Sequence, residues 1–404
     1  MRPRAVRELA GATGRPAAPA AGRTLSLFVF IDALGWEVSQ REGAFRSLLP
    51  WQQPLETVFG YSSTCDPTIL TGVAPREHGH FTFFRYNPER SPFKGHGTLA
   101  RLPRWLTSRA RVRRLISRVS QRRLGYTGYF QLYNVAFQHL PLLEYTERHD
   151  LYEPGGINGG QPTVFDRFRA AGLPVHRSDW RRGEAENVAA ALAAVRDGSI
   201  RVAYLYLAGL DGVMHALGTR DRSVGQRIRW YEEQVAALMA EARLRYDEVS
   251  VSAFSDHGMT DVRETCDLRA RIDATGLRFG TDYAAVFDST MARFWFLRSS
   301  ARQRIETALR EESRGRILSE ADLAGFGCDF PGQSYGQLYF LLDPGVLLCP
   351  SDMGERPIRG MHGYDPSDRD STAFFASNQA PDPAPRRLAD LHDFMLQSSG
   401  LAAR

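Results

Sequence analysis

Three aspartates and three histidines in this chain are spaced as metal ligands would be. Asp211 and His215 form a DxxxH pair, and that four-residue spacing puts both side chains on one face if the chain is helical there. Asp256 and His257 are adjacent in a Ser-Asp-His-Gly turn, and His362 lies in the glycine-flanked loop Arg359-Gly-Met-His-Gly-Tyr-Asp365. Asp32 closes a short apolar run. Carboxylate and imidazole are borderline ligands suited to Zn²⁺, with Mn²⁺ or Fe²⁺ as alternatives. Six of them suffice for two three-ligand sites that keep positions open for a nucleophile, a water and a substrate oxygen. A hydroxyl-rich segment, Gly60-Tyr-Ser-Ser-Thr-Cys-Asp-Pro-Thr-Ile-Leu-Thr-Gly72, precedes a helix-like stretch. Alone it reads as an ordinary N-cap. Beside a two-metal site, one of its hydroxyls gains a lowered pKa and becomes a nucleophile.

Positioning these groups requires strands that end where they begin. Leu25–Ile31 ends in Asp32, the run from Val202 to Leu210 ends in Asp211, and Glu248–Ser255 ends in Asp256. Short runs rich in β-branched and aromatic residues suit buried strands of a parallel sheet. Helical patterns over 187–196 and 223–240 supply the crossovers such a sheet needs. Open α/β sheets build sites at the carboxyl ends of their strands, and three of them here deliver a carboxylate there. The predicted fold is therefore α/β, a large and mostly parallel sheet sandwiched by helices, with cap segments inserted.

The order Asp32, the hydroxyl segment with Thr71-Gly72 and the later Pro75-Arg-Glu-His-Gly79, DxxxH, Asp-His-Gly, then Gly-x-His-Gly-Tyr-Asp resembles the alkaline phosphatase superfamily. Its type I phosphodiesterase/nucleotide pyrophosphatase branch matches best. The resemblance implies one metal held by Asp32, Asp256 and His257, which also binds the nucleophile, and a second held by Asp211, His215 and His362. Counting ten residues back from Gly72, as the family's pattern does, gives Ser62 as nucleophile, with Ser63 and Thr64 as alternatives because the usual Pro-Asn that follows is missing. Cys65 lacks the flanking Pro and Arg of a sulfatase pentapeptide. Where family members carry an Asn that contacts a phosphoryl oxygen, this chain has Phe83, leaving Thr82 or Arg85 as replacement donors. The implied reaction is metal-dependent hydrolysis of phosphoric esters, foremost diesters, through a phosphoserine. A phosphomonoesterase or phosphonate hydrolase of the same superfamily is the alternative, and a non-catalytic anion- or membrane-binding protein is the alternative of another class.

The chain has 404 residues, 43% of them hydrophobic and 24% charged, which excludes a disordered chain or a small disulfide scaffold. Ligands from both ends of the sequence call for a single catalytic core over 23–404, with a cap insertion at about 84–150 and a second at about 266–350. Residues 1–22, rich in Arg, Ala, Gly and Pro, read as a disordered lead-in. Four cysteines without a CxxC, and no run of 18 apolar residues, predict a cytoplasmic protein. The net charge is +5, yet Arg101–Arg123 holds nine arginines and no acid, so the rest of the molecule nets −4. The basicity thus belongs to one inserted segment and gives no reason to expect specific nucleic-acid binding. In that segment Val112, Leu115, Ile116 and Val119 follow helical spacing and predict an amphipathic helix, either solvated, facing a polyanionic substrate, or resting on an anionic membrane. The partners expected are a small phosphoester, nucleotide-like or lipid-linked, and two divalent ions. The aromatic stretch Gly125–Asn134 is read first as cap packing and second as a stacking surface.

Overall fold

The computed structural model describes residues 22–101 and 109–403. The expected lead-in, apart from Gly22, lies outside the described residues, as do Arg104 and Trp105 of the basic block.

A six-stranded sheet runs in the order Trp51–Leu55, Ala373–Ser377, Glu248–Phe254, Thr24–Ile31, Val202–Leu207, Val175–Arg177. The last four strands are parallel, and the first two pair antiparallel at one edge. Alternation along the central strand decides the layers, because successive side chains point to opposite faces. Leu25, Leu27, Val29 and Ile31 face one side, packed with Val188, Ala191 and Val195 of the helix Glu184–Asp197 and with Ile228, Val235 and Leu238 of the helix Arg222–Arg243. Phe28 and Phe30 face the other, among Ile69, Phe165, Phe168 and Met395. The sheet is therefore buried on both faces, which is why its strands read as nearly continuous apolar runs.

Register brings the three carboxylate-bearing ends together. Ile31 pairs with Leu207, and Phe30 with Phe254, so the chain leaves three adjacent strands at one edge. The second run ends earlier than expected. Its strand stops at Leu207, and a helix, Gly209–Leu217, takes Leu210, Asp211 and His215. The Gly209 N–H donates to Glu184 Oε1 at 2.8 Å, and the carboxylate sits so close that a Cβ on Gly209 would lie 2.5 Å from Glu184 Oε2.

Two further layers stand over that edge. Residues 266–350 contain a four-stranded antiparallel sheet ordered Tyr283–Phe287, Met291–Phe296, Leu338–Leu342, Gly315–Ile317, with the helix Ser299–Arg310 on its core. Residues 84–150 contribute a short ladder of Phe84–Tyr86 with Leu143–Tyr145 and the helix Ala110–Leu124. The two share a core in which Phe84, Phe130 and Tyr145 meet Ala284, Val286 and Trp295.

The arginine-rich helix docks differently from its apolar pattern. Its inner face is Arg113, Ile116, Ser117 and Ser120: Arg113 Nη1 donates to the carbonyls of Tyr133 and Val135, and Ser117 Oγ accepts from Leu132 N–H. Leu115 and Val119 are 62% and 41% exposed, in one stripe with exposed Arg111, Arg114, Arg118 and Arg122. Hydrogen bonds to an irregular cap backbone decide this docking, and periodicity does not report them.

Beneath the Asp-His turn two backbones touch. A Cβ on Gly258 would lie 2.0 Å from Asp370 O, and one on Gly35 would lie 2.5 Å from Gly258 Cα. Gly258→Ala is expected to lower stability by about 1–3 kcal/mol, the range for overpacking a tight contact, measured by urea denaturation; unchanged stability would show that the turn can move.

Candidate active site

The carboxyl edge of the sheet gathers all six predicted ligands into two trios. Donor atoms of Asp32, Asp256 and His257 all lie within 4.8 Å of one another, as do those of Asp211, His215 and His362. His257 and His362 stack with ring centroids 3.7 Å apart, joining the two trios.

The imidazoles are oriented by the backbone. His257 Nδ1 donates to Gly258 O at 2.9 Å, and His215 Nδ1 donates to Gly360 O at 2.8 Å. A neutral imidazole that donates from Nδ1 keeps its lone pair on Nε2. That lone pair faces carboxylate oxygen: His257 Nε2 lies 3.0 Å from Asp256 Oδ2, and His215 Nε2 lies 3.1 Å from Asp211 Oδ1. Two acceptors at that distance repel unless a proton or a metal cation lies between them. Asp32 Oδ1, Asp211 Oδ1 and Asp256 Oδ2 are moreover buried without a hydrogen-bond partner, one oxygen from each aspartate. The residues present therefore fit a pair of divalent cations.

Electrostatics points the same way. Burial pushes the Asp32 carboxyl well up from its ordinary range, and Asp256, Asp211 and Asp66 push it further. Burial pushes His362 down, reinforced by His257 and His215. Burial lowers His257 as well, but Asp256, Asp211 and the Gly258 carbonyl together outweigh it and the net shift is upward. Tyr206 Oη donates to Asp32 Oδ2 at 2.8 Å and fixes that carboxylate.

The three candidate hydroxyls separate by direction. Ser62 opens the helix Ser62–Thr71, and its Oγ lies 3.1 Å from His257 Nε2. Ser63 Oγ and Thr64 Oγ1 both donate to Phe81 O, at 2.7 and 2.6 Å. Of the two predicted donors, Thr82 lines the cavity over the trios. Arg85 does not: its Nε is held by Glu144 Oε2 at 2.9 Å, a carboxylate nearly out of solvent. An ion pair formed across the short cap ladder thus removes Arg85 from the site.

A cavity of about 460 Å³ rises from Ser62, Asp32, Asp211 and His362 between the sheet edge and the cap. Phe83 lines it, with Tyr129 and Tyr133 rings at 5.3 and 5.7 Å, so the aromatic stretch serves cap packing and cavity wall together. Sequence reasoning missed Asp66, Glu147, Asp150 and Trp180 on the same wall. Asp66 had a signal, four residues after Ser62 on one helix face. Glu147 and Trp180 had none: the cap places Glu147, and the turn after the edge strand Val175–Arg177 places Trp180.

A family model described as type I phosphodiesterase/nucleotide pyrophosphatase matches residues 53–365. The chain belongs to that family. Among solved structures, human ectonucleotide pyrophosphatase/phosphodiesterase 5 superposes with a TM-score of 0.67 at 14% identity, covering 94% of this chain and 96% of that one. An inactive variant of murine ectonucleotide pyrophosphatase/phosphodiesterase 5, in complex with AMP, does so with a TM-score of 0.65 at 13% identity over the same shares. These likenesses carry the fold, an alkaline phosphatase-like α/β architecture. No curated protein matches the sequence. As a member of this phosphodiesterase family, the protein is a hydrolase acting on phosphoric ester bonds.

One cavity carboxyl gives a pH test away from the trios. Burial pushes Glu147 up to about 8, with Asp150 adding to it and the Tyr129 N–H opposing it. The folded state therefore binds this proton more tightly than the unfolded chain, and Glu147 costs stability as pH rises from the unfolded value near 4.5 toward 8. The stability of Glu147→Gln relative to the parent protein is expected to rise between about pH 5 and pH 8; a pH-independent difference in denaturation midpoints would contradict the burial argument.

Proposed function

We propose that this chain hydrolyses phosphodiesters through a covalent phosphoserine at Ser62 in a two-metal site. The observation that carries the diester reading is the cavity lining. Among its described residues there is no Lys or Arg. A monoester carries a second negative charge on a third oxygen, which ordinarily takes a cationic donor. Arg85, the candidate for that role, is bound to Glu144. A diester, with one charge and two substituents, suits a wide cavity without a cationic side chain among its lining residues.

Asp32, Asp256 and His257 would hold one cation, and Asp211, His215 and His362 the other. Bound there, two divalent ions (Zn²⁺ by this donor set, Mn²⁺ or Fe²⁺ as alternatives) neutralise phosphoryl charge and lower the pKa of oxygens they touch. Ser62 Oγ, freed of its proton, attacks phosphorus in line with the leaving oxygen. The Oγ–P bond forms as the ester bond breaks and the alcohol departs. Water then attacks the same phosphorus, the Oγ–P bond breaks, and a phosphomonoester leaves with Ser62 restored. Positioning is the chain's share of catalysis: Tyr206 orients Asp32, the Gly258 and Gly360 carbonyls orient two imidazoles, and Thr82 offers a substrate contact.

Ser62→Ala is expected to cut hydrolysis of bis-p-nitrophenyl phosphate by at least about a thousandfold with metal content per chain unchanged, whereas Ser63→Ala keeps most activity. Full activity in Ser62→Ala would sink the assignment. The parent protein is expected to prefer this diester over p-nitrophenyl phosphate; the reverse preference would return the monoesterase reading.

The AMP complex of the murine relative supports a nucleotide-like ester as one substrate candidate, and the exposed arginine stripe supports a lipid-linked one. No described helix is long and apolar enough to cross a membrane. Leu115 and Val119 within that stripe fit contact with an anionic lipid surface. Replacing Arg111, Arg114, Arg118 and Arg122 by Glu is expected to weaken co-sedimentation with phosphatidylserine vesicles at least about tenfold; equal binding to neutral vesicles would rule this contact out. The four free cysteines fit a reducing, cytoplasmic location.

A further inference from the structure

Two of the site's three imidazoles are turned by a backbone carbonyl, and the third is not. His257 and His215 donate from Nδ1 to Gly258 O and Gly360 O, whereas His362 Nδ1 is buried without a hydrogen-bond partner. Its neighbours orient His362 instead. The His257 ring stacks on it at 3.7 Å, and the Tyr61 ring meets it edge-on, with centroids 5.8 Å apart at 76°. The next residue, Gly363, has a φ of +88°, and a Cβ there would lie 2.5 Å from Tyr61 Cε1. The loop that presents His362 is therefore pressed against the residue that precedes Ser62.

One hydroxyl from the second insertion joins the two segments. Thr290, fully buried, sits in the turn between the strands Tyr283–Phe287 and Met291–Phe296. Its Oγ1 donates to Gly363 O at 2.7 Å, so the Tyr61 hydroxyl, 2.9 Å away, donates to Oγ1. The Thr290 N–H in turn donates to Tyr61 Oη at 3.1 Å. Because Thr290 Oγ1 carries a single proton, each contact in the cluster has a fixed direction. Withdrawal from water and the nearby Asp288 push the Tyr61 hydroxyl well above its ordinary pKa, so it stays a donor. The turn itself is anchored: Leu342 N–H donates to Thr290 O at 2.9 Å, Leu348 N–H to Ser289 O at 2.8 Å, and Arg293 holds Asp288. A closed circuit results. It runs from Ser62 through His257 and His362 to Gly363, and back through Thr290 and Tyr61.

We propose that Thr290 and Tyr61 are positioning residues that set the placement of His362, and with it the second cation, relative to Ser62. This rests on the two-metal phosphodiesterase reading and extends it to a residue from outside the six-stranded sheet. Neither Thr290 nor Tyr61 belongs to a trio, so both act through geometry alone. Outer partners of metal ligands commonly govern affinity or activity by about ten- to a hundredfold. The second insertion is then more than a cavity wall, because its turn sets the spacing between the two halves of the site.

The test equilibrates zinc-loaded protein with graded zinc buffers and counts the zinc retained per chain. In Thr290→Val one ion of the pair is expected to leave at about ten- to a hundredfold higher free zinc than in the parent, with the other retained as before. His362→Ala, which removes a ligand of the second trio, identifies the step that belongs to that site. Thr290→Ser keeps the hydroxyl and is expected to retain zinc like the parent. Tyr61→Phe keeps the ring against His362 but removes the proton that Thr290 Oγ1 accepts. It is expected to weaken the same ion, and the double variant to cost no more than Thr290→Val alone. With excess zinc keeping both ions in place, kcat for bis-p-nitrophenyl phosphate is expected to fall at least several-fold in Thr290→Val and Tyr61→Phe, with KM little changed. Equal loss of both ions, unchanged retention in both variants, a serine variant as weak as the valine one, or a parent holding fewer than two ions would overturn the proposal. If Thr290→Val does not fold, the Tyr61→Phe comparison decides on its own. Selective weakening in a parent that hydrolyses no diester would leave the positioning role standing and defeat the hydrolase reading; hydrolysis without selective weakening would do the opposite.

Discussion

Two aspartates, buried Asp256 and half-buried Asp211, stand against imidazole nitrogens that the backbone has already turned into acceptors. Asp256 Oδ2 and Asp211 Oδ1 each face an Nε2 lone pair at about hydrogen-bond distance, with no proton between them in the neutral tautomer. Such an arrangement repels itself and is relieved by a proton or by a bound cation between the two atoms. The fold accepts that cost because the parallel sheet ends there, and the rest of the molecule is arranged to hold the edge rigid. Helices bury both faces of the sheet, Tyr206 fixes one carboxylate, and glycines at 35 and 258 let two backbones close beneath the Asp-His turn.

Specificity is built from different material. Beyond the trios the cavity is lined by Tyr129, Tyr133 and Glu147 of the cap, by Asp288 and Ser289 of the second layer, and by Trp180 after the edge strand. The shared core of Phe84, Phe130, Tyr145, Val286 and Trp295 welds cap and second layer into one lid frame. Arg293, fully buried, reinforces that weld by donating to Asp288, Tyr335 O and Phe84 O. The cap spends its inward arginines on structure, Arg85 on Glu144 and Arg113 on backbone carbonyls, and Arg181 beyond the edge strand pairs with Asp150. Its outward arginines remain on the surface. The cavity is left electronegative in a chain whose net charge is positive, a distinction that total charge conceals.

Much of this was legible beforehand. Asp32 and Asp256 were readable because turn residues at strand ends have fixed neighbours, and the DxxxH pair because helical spacing fixes which side chains meet. The strand boundaries shifted by a few residues where Glu184 recruits the Gly209 N–H, a contact between residues 25 apart in sequence. The apolar pattern of Ala110–Leu124 misread its own docking, because Arg113 and Ser117 bind irregular cap backbone more strongly than Leu115 and Val119 can be buried.

The sequence by itself determined the α/β architecture, the strand-end aspartates, the DxxxH pair and the hydroxyl segment, because each depends on local spacing along a strand or one helical turn, whereas the gathering of His362 with the others was implied only by a family resemblance. Tertiary structure alone decided which hydroxyl faces the trios, that Arg85 is spent on Glu144, and that Asp66 and Glu147 line one cavity. Those outcomes depend on long-range packing of the cap, where competing partners for each polar group come from distant segments and no periodicity records which one wins.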